Sequence, residues 1–286
     1  MTDLSAFNIT HFAAGSANVR VATLPPISAP ALAPTPDDSD DDGFSLLSQE
    51  DDLAPSDSID SSRTALQLLY PADSINPAAR PLGGAEFYAA PLDLSNASSV
   101  TLTYSVFFPS TFDWVLGGKL PGLYGGRDGC SGGDPAEDCF STRLMWRKGG
   151  VGELYLYAPK DKQPAALCAD PHSICDAAYG LSIGRGAFRF PAGQWTTVSQ
   201  TVALNTPGKA DGGFALDVNG VRVVQRSDVY YRGTGIRATA VPDVAGTAVA
   251  SKKAKPTTFF GGHEEEWATP VDQYVLFRDF AIVKNA

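Results

Sequence analysis

Long apolar runs are missing from this chain. No stretch approaches the ~20 consecutive apolar residues that a membrane-spanning helix needs, so no membrane partner is expected through such a helix. Histidine is scarce, at three residues (His11, His172 and His263). The four cysteines form two close pairs, Cys130 with Cys139 and Cys168 with Cys175, neither in a Cys-x-x-Cys spacing. That pattern argues against structural zinc and for two short disulfide loops made in an oxidising compartment. No acidic run has the spacing of a calcium loop, so neither a metal nor another cofactor is expected.

An excess of basic residues is also lacking. The formal charge is −10, from 32 acids and 22 bases, and residues 37–60 hold ten of those acids and no Lys or Arg. Outside that stretch acids and bases balance at 22 each. A neutral folded part carries no electrostatic footprint for nucleic acid, and an acidic ligand would have to be met by a local group of cations. Residues 1–25 lack a basic segment followed by an apolar one, so no signal peptide is visible. The sequons Asn8-Ile9-Thr10 and Asn96-Ala97-Ser98 nevertheless agree with the secreted, extracellular location that the cysteines suggest.

What is present is enough apolar material for a core, 43% hydrophobic residues with 10% aromatic, and a clear change of texture along the chain. Residues 1–24 are an N-terminal segment that adds either a strand or an anchor. Residues 25–63, rich in Pro, Ser and Asp, have too little apolar surface to offset the entropy of ordering and read as an acidic disordered linker. From residue 64 to 286 short β-branched and aromatic runs alternate with Gly, Pro and Asp turns. Strands are predicted over Val100 to Phe108, Phe140 to Arg147, Glu153 to Ala158, Trp195 to Leu204, Phe214 to Val218, Val221 to Val229 and Tyr274 to Val283. Asn219-Gly220 is a two-residue hairpin turn, because both residues tolerate positive φ. No amphipathic helix of useful length is seen. The pattern predicts an all-β domain, a two-sheet antiparallel sandwich or jelly roll whose concave face can hold an extended ligand. A monomer is expected.

One hairpin carries unusual polarity. Ser141 and Arg143 share parity on one strand, and Tyr155 and Tyr157 share parity on the next, so each pair lies on one face. An odd loop across Lys148 to Gly152 puts all four on the same face and turns Leu144, Trp146, Leu154 and Leu156 to the other. A two-residue loop at Gly149-Gly150 would separate them. Burial of the leucines and the tryptophan would fix the register. Just upstream, Gly117 to Gly126 is too rich in glycine for an ordinary strand or turn. Those glycines permit tight turns and close approach of a ligand to the backbone beside Lys119.

These blocks resemble polysaccharide lyase family 14, which contains alginate and glucuronan lyases with a β-jelly-roll fold. The resemblance spans about residues 64–286. It rests on Gly-Gly-Lys-Leu-Pro-Gly-Leu-Tyr-Gly-Gly at 117–126, Phe140-Ser141-Thr142-Arg143-Leu144-Met145-Trp146, and Tyr155-Leu156-Tyr157. A fourth block runs from Thr258-Phe259-Phe260-Gly261-Gly262 through Trp267-Ala268-Thr269-Pro270 to Asp272-Gln273-Tyr274. It implies that Lys119, Ser141, Arg143, Tyr155 and Tyr157 line the cleft. Lys119, Arg143, Tyr155 and Tyr157 would be catalytic, and Ser141 would bind substrate. Tyr124, Arg127 and His263 join the substrate-binding candidates. The two cysteine loops and the acidic His263-Glu264-Glu265-Glu266 depart from the pattern.

The chemistry so implied is cleavage of a 4-linked polyuronate by β-elimination, which leaves a 4,5-unsaturated end. Removing the C5 proton beside a carboxylate creates a dianion, which cations must stabilise, and Arg143 and Lys119 suit that task. A tyrosine tuned by cations can move the proton, and Tyr157, Tyr155 or Lys119 could each be the group concerned. Two other readings stand beside this one. A non-catalytic polysaccharide-binding module could use the same fold. A glycoside hydrolase would need two placed carboxylates, for which only Glu264 to Glu266 or Asp113 offer themselves. Trp114, Trp146 and Trp195 are read as core residues, and Lys148 as a solvated loop cation.

Overall fold

Along Ser99–Phe107 every second side chain is apolar, and Val100, Leu102, Tyr104 and Val106 have no exposed surface. Burial at period two is what a strand with one covered face requires, and the same rule builds most of the molecule. The computed structural model describes residues 3–24, 64–89, 91–94, 97–126, 130–175, 178–233 and 257–285. The linker expected over residues 25–63 and the candidate Arg127 lie outside them.

The described residues form fifteen strands in chain order. They are β1 (Ile9–Ala14), β2 (Val19–Thr23), β3 (Thr64–Tyr70), β4 (Ala85–Ala89), β5 (Ser99–Phe107), β6 (Gly117–Leu120), β7 (Tyr124–Gly126) and β8 (Cys139–Arg147). There follow β9 (Gly152–Tyr157), β10 (Leu181–Ile183), β11 (Trp195–Ala203), β12 (Gly212–Val218), β13 (Val221–Val229), β14 (Thr257–Thr258) and β15 (Gln273–Lys284). The single α-helix among them, α1 (Ala165–Ala169), is one short turn inside a loop.

One antiparallel sheet has the order β13-β12-β11-β5-β15-β3-β2. The facing layer runs β10-β9-β8-β6, with β7 also on β8, and a bridge between Gly118 and Phe260 continues it to β14, β4 and β1. This is a β-jelly roll. The core fills the space between the layers. Leu66, Leu68, Val198, Val202, Phe214, Leu216, Val275 and Phe277 come from the first sheet, and Leu120, Leu144, Trp146, Leu154, Leu156 and Phe260 from the second. A polar stitch crosses it. Thr142 Oγ1 donates to Gln200 Oε1 at 2.8 Å, and Gln200 Nε2 donates to the Pro121 carbonyl at 3.3 Å. Both groups are buried, so each needs the partner the opposite layer supplies.

Strands β1 and β2 add one strand to each sheet, on β4 and on β3 respectively, so the N-terminal segment is built into both layers. The glycine-rich block differs from its expectation. It forms two short strands, β6 and β7, and what approaches its glycines is the protein's own β8. A Cβ on Gly118 would sit 2.0 Å from the Trp146 ring, and one on Gly122 would sit 2.4 Å from the Thr142 carbonyl. Glycine there allows a core tryptophan and the backbone beside Arg143 to close up, and both contacts hold Lys119 in register. At Asn219-Gly220, φ is +50° and +80°, and Val218 pairs with Val221 as a two-residue turn requires.

Candidate active site

The register of β8 and β9 sets the site. Ser141 pairs with Tyr157, Arg143 with Tyr155 and Met145 with Glu153, so the pairing is centred on Gly149 and the loop is odd. Lys119 of β6 pairs with Met145 from the other side. Hence Lys119, Ser141, Arg143, Tyr155 and Tyr157 all stand on the face away from the core, while Leu144, Trp146, Leu154 and Leu156 are buried in it. Above that face is a cleft of about 520 Å³ whose floor includes Lys119, Arg143, Met145, Arg147, Tyr155 and Tyr157. Loops form its walls. Asn76 and the segment of Gly262, His263 and Glu264 stand with Trp267 on one side, and Ile174, Tyr179 and Gly180 on the other.

Arg143 is a buried cation on this floor. It is 5% exposed, yet its Nε and Nη2 have no hydrogen-bond partner. Its guanidinium carbon lies 5.6 Å from the centre of the Tyr157 ring, and no described carboxylate forms an ion pair with it. A buried donor without an acceptor costs free energy, and two on one permanently charged group are the signature of a site for an anionic ligand. Lys119 is half-buried, with its ammonium 4.8 Å from the Tyr155 ring centre and 5.0 Å from that of Phe259. Burial holds its pKa well below the ordinary lysine value, and the Arg143 and Arg147 charges lower it further, against a smaller opposing effect of Glu153.

The two tyrosines meet edge to face at 5.6 Å between ring centres. Tyr155 Oη accepts the Gly180 N–H at 3.2 Å, and Tyr157 Oη accepts the Gly133 N–H at 3.3 Å. Burial, then the neighbouring Tyr157, pushes the Tyr155 pKa above the ordinary phenol value, so Tyr155 stays protonated at neutral pH. Each hydroxyl is therefore positioned by a backbone donor from a different loop.

The remaining candidates take other places. Ser141 is fully buried, and its hydroxyl donates to the Cys130 carbonyl at 3.2 Å. Tyr124, opposite Ser141, is buried too and accepts the Cys130 N–H. Both anchor the loop closed by the Cys130–Cys139 disulfide over this end of the floor, the same loop that brings Gly133 to Tyr157. The second disulfide, Cys168–Cys175, closes the loop that leads to Tyr179. His263 is exposed at the rim and stacks on Tyr179, 5.3 Å between ring centres and 29° between planes, so the two walls touch there. Trp146 is fully buried, Trp114 packs against the core, and Trp195 carries Arg278 at 4.2 Å on its ring. The cleft tryptophan is Trp267. Cys130, Asp134 and Cys139 bring three ligand-type atoms within 4.8 Å of one another, but both sulfurs belong to the disulfide, so they are not thiolate ligands for a metal.

Several cleft residues escaped the sequence reading. Arg147 and Glu153 share the odd parity of Arg143 and Tyr155 on the same two strands, so carrying the alternation to the strand ends would have found them. Arg185, Tyr179 and Asn76 sit on loops, where no local periodicity marks a direction.

The polysaccharide lyase 14 family model matches residues 58–280. Among solved structures, a marine alginate lyase of family 14 from Aplysia kurodai is similar at 34% identity, over 79% of this chain and 85% of that one, with a TM-score of 0.66. An alginate lyase from Chlorella virus is similar at 25% identity, over 78% of this chain and 85% of that one, with a TM-score of 0.60. An endo-β-1,4-glucuronan lyase from the fungus Trichoderma reesei shares the fold at 10% identity and a TM-score of 0.53, over 97% of this chain and 91% of that one. No curated protein sequence matches the chain.

Proposed function

This chain belongs to polysaccharide lyase family 14, and from that premise we propose that it cleaves a 4-linked polyuronate of the alginate or glucuronan type by β-elimination. It is a polysaccharide lyase. The observation that carries the choice of an acidic sugar is Arg143, buried on the cleft floor with two guanidinium donors unpaired, beside a lysine that forms no ion pair with a described carboxylate. A uronate carboxylate satisfies the Arg143 fork, and Lys119 adds a second positive charge where the dianion develops.

In the reaction the C5–H bond breaks and its electron pair becomes the C4–C5 double bond, while the C4–O bond breaks and the glycosidic oxygen leaves with the C4–O pair. Tyr157, reacting as the phenolate, takes the C5 proton next to Arg143 and becomes the neutral phenol. Tyr155, kept as a neutral phenol by burial, holds the sugar and has a proton to offer the leaving oxygen. Ser141 and Tyr124 act through the Cys130 loop, and His263 meets the chain at the rim. No covalent intermediate is required, so Ser141 needs no activating base. Glu153, a buried carboxylate behind the floor, has both oxygens committed to cations and a hydroxyl, so it is not free to act as the acid or base of a hydrolase. The two disulfides support maturation in an oxidising, extracellular setting.

The test is incubation with polymannuronate, polyguluronate and polyglucuronate, recording absorbance from the new double bond alongside reducing ends. Both should rise together on at least one polymer. Reducing ends without the absorbance would make the protein a hydrolase, and binding with neither would make it a carbohydrate-binding module.

A further inference from the structure

At the edge of the same cleft one buried carboxylate holds two arginines. Glu153 on β9 has no exposed surface. Its Oε1 accepts Arg147 Nε and Nη2 at 2.9 and 2.6 Å, and its Oε2 accepts Ser182 Oγ and Arg185 Nε, both at 2.6 Å. Four donors use all the acceptor capacity of a carboxylate, so Glu153 neither binds substrate nor moves its proton. Two cations against one anion leave a positive charge in surplus. Glu153 occupies only one edge of Arg147 and the Nε of Arg185, and their other guanidinium nitrogens have no partner among the described residues. Both side chains line the cleft, at 17% and 33% exposure. The Trp267 ring, on the facing wall, is centred 5.9 Å from the Arg147 guanidinium carbon.

A cross-link between strands needs one cation for one anion. A second arginine, brought from a loop and left with free donors facing the cleft, adds desolvation and repulsion that a purely structural pair avoids. Arg147 stands four residues beyond Arg143 on β8, about 13 Å along the strand at ~3.3 Å per residue, so the two are spaced for different sugars.

We infer that Arg147 and Arg185, fixed by Glu153 and flanked by Trp267, form a second carboxylate subsite that binds a uronate further along the chain than the one that loses its proton. Glu153 is then a positioning residue. The inference rests on the lyase reading and sharpens it: the enzyme measures charge at two points, so longer polyuronates are better substrates.

The experiment uses uronate oligomers of defined length, from the shortest that is cleaved up to the hexamer, followed by double-bond absorbance and titrated by calorimetry. In Arg185→Ala the ratio of kcat/KM for the hexamer to that for the shortest substrate should fall about tenfold. Its hexamer affinity should fall by a similar factor, and Arg185→Lys should recover part of both. Glu153→Gln should lower the ratio in the same way, read with its thermal melting because that site is buried. If Arg147→Ala and Arg185→Ala reduce all lengths equally or change none, the pair is structural and the subsite is overturned. Hexamer binding that weakens in Arg185→Ala while the wild type yields no unsaturated product would keep the subsite and refute the lyase reading instead.

Discussion

Replacing Arg143 by methionine should raise stability while destroying activity. In the free protein this side chain buries Nε and Nη2 without acceptors, and each unpaired buried donor costs about 1–3 kcal/mol. Methionine fills the same unbranched space with no polar atom. Against that gain stands the contact with the Tyr157 ring at 5.6 Å, at most about 2 kcal/mol when desolvated. Two such donors together cost about 2–6 kcal/mol, so after the ring contact is subtracted the variant is favoured by about 0–6 kcal/mol. For a domain of this size each kcal/mol of that gain is a rise in Tm of about 2–4 °C. The activity moves the other way. Two charge-assisted hydrogen bonds to the carboxylate at about 1.5–3 kcal/mol each correspond to a loss in kcat/KM of roughly a hundredfold to ten-thousandfold. The assays are a thermal melt and initial rates by double-bond absorbance on the best polymer. A variant that melts below the wild type, or keeps more than about a tenth of its kcat/KM, would refute the view that Arg143 is held unpaired for substrate.

Three further outcomes follow from the same geometry. Tyr157→Phe should lower kcat by about a hundredfold to ten-thousandfold, the range of general acid–base catalysis, with KM changed little; near-normal turnover would move the proton to Tyr155 or Lys119. Lys119 has a folded pKa below its unfolded one, so the unfolded chain binds more protons and this residue's destabilising effect is relieved as pH rises from its folded pKa toward the ordinary lysine value. Acting as a cation, it should also give an alkaline fall in kcat/KM below the ordinary lysine range, which Lys119→Arg shifts to higher pH; an acid limb lost in that variant would make Lys119 the base. Replacing Cys130 and Cys139 by serine removes a cross-link over nine residues, worth about 2–3 kcal/mol in the chain-entropy view, and loosens the loop that holds Tyr157 through Gly133. Both Tm and kcat should fall, and an unchanged kcat would show that the loop does not position the tyrosine.

Alternation made the fold and the cleft floor readable. The rule that put Val100, Leu102 and Tyr104 inward also put Arg143 and Tyr155 outward, and the apolar partners Leu144 and Leu156 fixed which face was which. The reading failed where period two gives no signal. Strands β6 and β7 were hidden because glycine carries no side chain to alternate, and there the backbone packs directly on β8. The walls were hidden because Asn76, Tyr179 and Arg185 come together only through loops far apart in sequence. Ser141 and Tyr124 show a subtler limit. Parity told which face Ser141 occupies but not its depth, and the loop closed by Cys130–Cys139 uses the polar atoms of both residues.

The distribution of counter-charges separates the two halves of the floor. Arg147 and Arg185 share Glu153, whereas Lys119 and Arg143 form no ion pair with any described carboxylate. A paired arginine keeps its position when the cleft is empty and gives up little on binding, which suits a group that grips the polymer. An unpaired, buried cation is unfavourable until an anion arrives, and most unfavourable of all beside other cations, as the depressed pKa of Lys119 records. In the proposed reaction, charge that accumulates on the substrate during proton removal would relieve that unfavourable state, so the unpaired pair would stabilise the transition state more than the bound ground state. Supplying an acid to Lys119 therefore should harm catalysis while helping the fold. A carboxylate in place of Met145, which lies opposite Lys119 on β8, is expected to raise the lysine pKa and lower kcat more than it raises KM. A Met145→Glu enzyme with wild-type kcat would show that the unpaired charge is incidental.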